Sequence, residues 1–173
     1  MIRKAIPSEL NEIVRLYDAV HTAEEAGLTA TGWVRGVYPS EKTVQDALNR
    51  DDLFILEEDA RILAAAVINR LQVDAYAGAP WKHPVPDDRV CVLHTLAVAP
   101  AARGRGFARF FLEFYEAYAR SVNCPELRID TNARNEAARA MYRKHSYEEI
   151  GIVPTVFNGI PGVDLVLLEK NLG

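Results

Sequence analysis

Arginine and glycine alternate at Arg103-Gly104-Arg105-Gly106, between the apolar run Leu93–Val98 and a phenylalanine-rich segment that begins at Phe107. This order of residue types suits the gripping of an anion. Glycine lets the backbone adopt positive φ and lets a ligand approach closely. The first amides of a helix lack internal partners and stand at the positive end of its dipole. Two guanidinium groups add charge nearby, and a phosphate is the natural occupant. Neither common phosphate motif fits. A P-loop needs Lys-Ser or Lys-Thr after its last glycine, and the third glycine of the dinucleotide pattern is replaced by Arg109. An RNA-binding Arg-Gly tract belongs in a disordered tail rather than between two apolar elements. A plain tight turn is the alternative, and the placement between strand and helix favours the ligand.

The elements that must position this turn follow from periodicity. "IRKAI" reads as a short strand, and Pro7-Ser8 opens a helix whose apolar residues run Ile6, Leu10, Ile13, Leu16 or Tyr17, and Val20. "AGLTATG" ends it. Ser40 caps a second helix that runs to Leu48. "DLFILEEDARILAAAVINRL" gives two strands around an acidic turn at Glu58–Asp59. "RVCVLHTLAV" is apolar on both faces, hence central. Phe107, Phe110, Phe111, Phe114 and Tyr118 make a helical stripe. "PELRIDT" (strand), "NEAARAMYRKH" (helix), "YEEIGIV" and "VDLVLLE" (strands) complete the chain. The fold class is therefore α/β, mixed α+β, with a partly parallel central sheet flanked by helices. One domain is expected over residues 1–173, because two full domains would be crowded at this length.

Composition narrows the function. A formal charge of −4 argues against a general nucleic-acid binder. No stretch approaches a membrane span, and "MIRKAIPSEL" lacks a secretory core. Cys91 and Cys124 are expected as reduced thiols of a cytoplasmic protein. The four histidines stand at no metal-ligand spacing, so no metal site is expected.

The motifs resemble those of the GNAT superfamily, the acyl-CoA-dependent N-acyltransferases. Arg103, Gly106 and Ala108, preceded by "TLAVAP", match its first hallmark. Asn135, Ala138, Met141 and Tyr142 match its second. The family's closing Gly-Phe is replaced by Ser146-Tyr147, which suggests a different helix end or an altered cofactor edge. The resemblance covers Val90 to about Ile152. It implies a sheet splayed between the fourth and fifth strands, with acetyl-CoA (coenzyme A) in the cleft. Leu96, Ala97 and Val98 would then bond the acyl and pantetheine groups. Residues Arg103, Gly104, Arg105, Gly106, Phe107 and Ala108 would hold the pyrophosphate, and Asn135 would contact the cofactor. Relatives commonly form homodimers.

The implied reaction moves an acetyl group to a primary amine of a small molecule or peptide by direct attack in a ternary complex. A catalytically silent acyl-CoA-binding regulatory module is the alternative. By resemblance, Tyr142 is the general acid that protonates the departing sulfur; otherwise it is a core tyrosine. His94 stands where many relatives carry a glutamate, and it is either the base or a hydrogen-bonded core histidine. Asp130 either points towards the cleft or caps the turn after its strand, and the cap is the favoured reading. Trp33, Tyr38, Tyr76 and Trp81, with His83, are expected to wall the acceptor pocket. The loop from Gln72 to Asp88 is long enough to suggest function.

Overall fold

The computed structural model describes residues 1–173. Side chains along the β2 strand (Leu53–Glu58) alternate between two cores. Phe54 and Leu56 join one, and Leu53 and Ile55 join the other. A period of two with both faces buried defines an interior strand covered by helices on each side. Helices α1 (Leu10–Glu25) and α2 (Glu41–Asn49) cover one face, and α3 (Phe107–Ser121) and α4 (Glu136–Lys144) cover the other. Ser40 caps α2, its Oγ accepting from the Thr43 amide at 3.4 Å.

The remaining strands are β1 (Ile2–Lys4), β3 (Arg61–Asn69), β4 (Val90–Val98), β5 (Glu126–Asn132), β6 (Glu148–Phe157) and β7 (Ile160–Asn171). They form one sheet in the order β1-β2-β3-β4-β5-β7-β6. Only β4 and β5 are parallel, with α3 as their crossover. The expected mixed sheet is thus present, its parallel part reduced to one pair. The stripe on α3 is rotated from expectation. Phe111, Leu112, Tyr115 and Ala119 are its buried residues, whereas Phe110 faces out.

The sheet opens and bends along β4. The β4–β5 ladder runs from Val90↔Glu126 to Leu93↔Ile129 and stops, although both strands continue. Beyond that point they diverge. At the closed end the Tyr115 hydroxyl lies 2.6 Å from the Cys91 carbonyl oxygen and 3.2 Å from that of Arg128, pinning the two strands from beneath. The register of β3 against β4 shifts between Ala65 and Val67, and Thr95 takes φ 51°. A β-branched residue in that region is strained. The Tyr17 hydroxyl holds the distorted strand by donating to the Thr95 carbonyl at 3.0 Å.

Ser146-Tyr147 preserves the helix end rather than changing it. Ser146 adopts φ 65°, its amide donates to Arg143 O, and the Tyr147 amide reaches back to Tyr142 O at 3.1 Å. These two bonds make a Schellman closure, in which glycine is the usual residue at the left-handed position. Tyr147 is buried and meets the Tyr142 ring edge-on at 6.0 Å. Because serine carries the left-handed penalty, Ser146→Gly is expected to stabilise the fold by about 0.5–1 kcal/mol, read as a raised midpoint in urea.

Candidate active site

Where β4 and β5 part, a cleft of about 820 Å³ opens, large enough for a sizeable ligand. One wall is the free side of β4, with Leu96, Ala97 and Val98. The opposite wall is the end of β5 and one side of α4, with Asp130, Asn132, Asn135 and Tyr142. The turn before α3 closes the rim.

That turn is built from backbone. The amides of Gly104, Arg105, Gly106, Phe107, Ala108 and Arg109 donate to no backbone carbonyl, and the helical bonds begin with Phe110 to Gly106 O. Six consecutive free amides at a helix N-terminus form an anion cradle. Gly104 and Gly106 sit at φ 78° and 84°, and a Cβ on either would meet open space. The two glycines therefore serve a backbone shape and an approach path, with no crowding inside the protein to explain them. Arg103 lines the cleft and reaches Leu28 O at 3.5 Å. The Arg105 side chain turns away instead, bonding Glu58 at 2.5 Å and covering the Phe107 ring. Arg105 is accordingly absent from the cleft lining, and only its free amide remains available at the turn. Gly106→Val is expected to cost about 1–2 kcal/mol in backbone strain. It should also weaken binding of a phosphate-bearing ligand by more than tenfold, measured by calorimetry, because its side chain would occupy the approach path.

Asn135 lines the cleft while capping α4, its Oδ1 accepting from the Ala138 amide at 3.2 Å. Tyr142, farther along the same helix, is 6 % exposed and faces the cleft. Burial, then the charge of Asp130, holds its hydroxyl well above the ordinary phenol range. The group is accordingly a protonated donor at neutral pH.

Asp130 does not cap the turn; Asn132 does, accepting from the Arg134 amide at 3.0 Å. Asp130 instead looks into the cleft and accepts a 2.8 Å bond from the Tyr76 hydroxyl. Burial pushes its carboxyl up to about 6, against which the Tyr76 bond pulls downward. A carboxylate of that affinity in a cleft is suited to taking up a proton near neutral pH. Its position at a strand end conceals it in the sequence. The one signal is the tyrosine in the long loop, a partner that spacing along the chain does not reveal.

His94 lines the cleft but is committed elsewhere. The Asn69 Nδ2 donates to Asp52 at 2.8 Å and its Oδ1 accepts from the Leu71 amide at 2.9 Å, which fixes the amide's orientation. His94 Nε2, 3.0 Å from that Oδ1, must then be the N–H donor. Burial pushes the imidazole down to about 4, so it holds a proton poorly.

The aromatic residues divide. Trp33 and Tyr38 line the cleft in an edge-to-face row with Tyr17 and Phe157, at centroid separations of 6.0, 6.4 and 5.6 Å. Phe157, at the end of β6, joins the wall with no sequence signal to mark it. Tyr76 and Trp81 lie behind β5, outside the lining, with the Trp81 indole donating to Tyr76 O at 3.0 Å. His83 is farther still, beside Glu169. Most of the long loop is thus packing beneath the sheet, and Tyr76 is its one link to the cleft.

Comparison with known proteins places this arrangement. The description of the acetyltransferase (GNAT) family matches residues 15–147. Mycothiol acetyltransferase of Jonesia denitrificans is 33% identical over 70 residues, 40% of this chain and only 22% of that protein's length. A GNAT-family acetyltransferase structure from Streptococcus agalactiae superposes with a TM-score of 0.80 at 24% identity, covering 99% of this chain and 94% of the other. The yncA structure from Salmonella typhimurium, solved with its cofactor acetyl-CoA, superposes at 0.71 with 17% identity, covering 100% and 94%. One family description thus runs through both walls and the rim of the cleft, and the chain belongs to the GNAT family of acetyltransferases.

Proposed function

We propose that this protein transfers the acetyl group of acetyl-CoA to a primary amine of a small molecule or peptide, in a ternary complex within the β4–β5 cleft. The observation that carries the reading is the meeting, in one cleft, of six free rim amides, an unpaired strand edge and a protonated tyrosine. The residues present fit this donor. The cradle suits a pyrophosphate, and the β4 edge at Leu96–Val98 suits an extended amide-bearing arm.

Acetyl-CoA, when bound, supplies an acyl group activated as a thioester. Asp130 takes one proton from the arriving ammonium, directly or through water, which frees the lone pair that attacks, and the nitrogen loses its second proton to solvent as the amide forms. The amine's nitrogen–carbon bond forms as the carbon–sulfur bond breaks. Free amides on β4 stabilise the negative charge that develops on the acyl oxygen. Tyr142 gives its proton to the departing sulfur and recovers one from solvent. The Trp33, Tyr38 and Phe157 rings wall the acceptor side, and with Asp130 they suit an amine that arrives as a cation. We place the protein in the cytoplasm on its two free, buried thiols.

The test is release of free CoA thiol from acetyl-CoA against a panel of amines and peptide N-termini. Thermal unfolding is followed in parallel with acetyl-CoA, CoA, ATP and a short RNA. Turnover with at least one amine, and a midpoint raised by the two CoA species, is expected. Midpoint shifts without turnover on any amine would leave a silent acyl-CoA-binding module. No shift with either CoA species would overturn the cofactor itself.

A further inference from the structure

Behind β5 and β7, away from the cleft, two carboxylates are buried without a salt bridge to lysine or arginine. Glu126 and Arg128 on β5 are cross-strand partners of Asn171 and Glu169 on β7, so these side chains share one face. Glu126 is 0 % exposed and Glu169 is 1 % exposed. Each uses one oxygen. Glu126 Oε2 accepts from Asn171 Nδ2 at 3.1 Å, and Glu169 Oε1 accepts from the Lys82 amide at 2.8 Å. The other two, Glu126 Oε1 and Glu169 Oε2, are buried with no hydrogen-bond partner.

Nearby cations are otherwise engaged. Arg128 lies 3.9 Å over the Trp81 ring and bonds Gln72, leaving its own Nε unpartnered. The Lys82 ammonium pairs with Glu148, and that of Lys170 pairs with Glu116. Within salt-bridge distance only His83 approaches, its Nδ1 3.7 Å from Glu169 Oε1. Buried charges are ordinarily paired or bound to metal, and here Arg128 acts on the two carboxylates only through its charge, with no ammonium or guanidinium bonded to either.

We propose that His83, Glu126 and Glu169 bind one divalent transition-metal cation of the Zn²⁺ class, which fastens the long β3–β4 loop to the end of the sheet. One ligand atom from each residue lies within 4.8 Å of the others. The His83–Glu169 separation is close to the edge of about 3.4 Å in a tetrahedron with bonds of roughly 2.1 Å. An imidazole with two carboxylates suits Zn²⁺ or its neighbours, whereas Mg²⁺ and Ca²⁺ prefer oxygen throughout. A surface pocket of about 440 Å³ lined by His83, Glu148, Glu169 and Lys170 gives the ion a way in. The sequence conceals the site because its ligands come from a loop and two strands, at no spacing a motif could show.

The experiment is calorimetric titration of chelator-treated protein with ZnCl₂, with MnCl₂ and MgCl₂ as comparators, followed by thermal unfolding. One equivalent of Zn²⁺ is expected to bind and raise the midpoint by several degrees, with Mg²⁺ inert. His83→Ala should lower the affinity by roughly tenfold or more, since a ligand matters at least as much as an outer-shell partner. Its side chain is 45% exposed, so the fold tolerates the change. Glu126→Gln, nearly isosteric, should do the same. The proposal is overturned if the protein takes up no Zn²⁺, which would leave the two carboxylates sharing a proton. It is overturned equally if uptake is unchanged in His83→Ala and Glu126→Gln, which would place the ion elsewhere, for example on the two thiols.

Discussion

Replacing Tyr142 by Phe should lower kcat by roughly 10²-fold or more, the usual worth of a positioned general acid. Affinity for acetyl-CoA should stay within a factor of about two, and stability should hold. The hydroxyl makes no hydrogen bond within the protein; burial and the Asp130 charge are what act on it. A phenylalanine keeps the ring contact with Tyr147 and the packing of α4 against the sheet. A purely structural tyrosine would give the opposite pattern, a changed melting midpoint with turnover intact. Steady-state kinetics beside calorimetric titration of the cofactor separate the two. Full turnover in the variant would remove Tyr142 from the mechanism.

Asp130→Asn should cost about as much in kcat/KM and should abolish the acidic limb of its pH profile. In the wild type that limb should rise with pH through about 6, as the carboxyl loses its proton. His94→Gln should leave it in place, since the imidazole titrates nearer 4. Stability moves the other way. Asp130's affinity for its proton is raised on folding from 3.8 to about 6. Its contribution is therefore complete below 3.8 and is lost as pH rises through 6. The shift corresponds to as much as about 3 kcal/mol. Asparagine, neutral throughout and still able to accept from Tyr76, should raise the unfolding free energy at pH 8 and change it little at pH 4. A variant that is more stable and less active would show the familiar trade between stability and activity. Equal stability of the two proteins at pH 8 would contradict the buried-charge account.

What the sequence discloses depends on how local the cause is. The Gly-Arg turn, Ser40 capping α2 and the doubly buried β4 are written in neighbouring residues, and all are present. The splay is legible only through family resemblance, since nothing in Leu93–Val98 says where a ladder stops. Residues that matter through distant partners mislead. Asp130 looks like a cap because its partner Tyr76 lies 54 positions away. Tyr76 and Trp81 look like pocket walls because aromatics in a long loop do not say which side of the sheet they cover. Ser146 reads as a departure, yet its backbone retains the left-handed turn that a glycine would supply.

Along its splayed half, β4 has one unpaired side and is therefore an edge, and edges invite other chains to add to them. This edge lies inside the sheet, between two leaves that are bound at the spine by Tyr115 and four residue pairs. A guest reaches that backbone only by entering the gap between the leaves, so the edge is sheltered from the side-to-side pairing that an outer strand of a sheet invites.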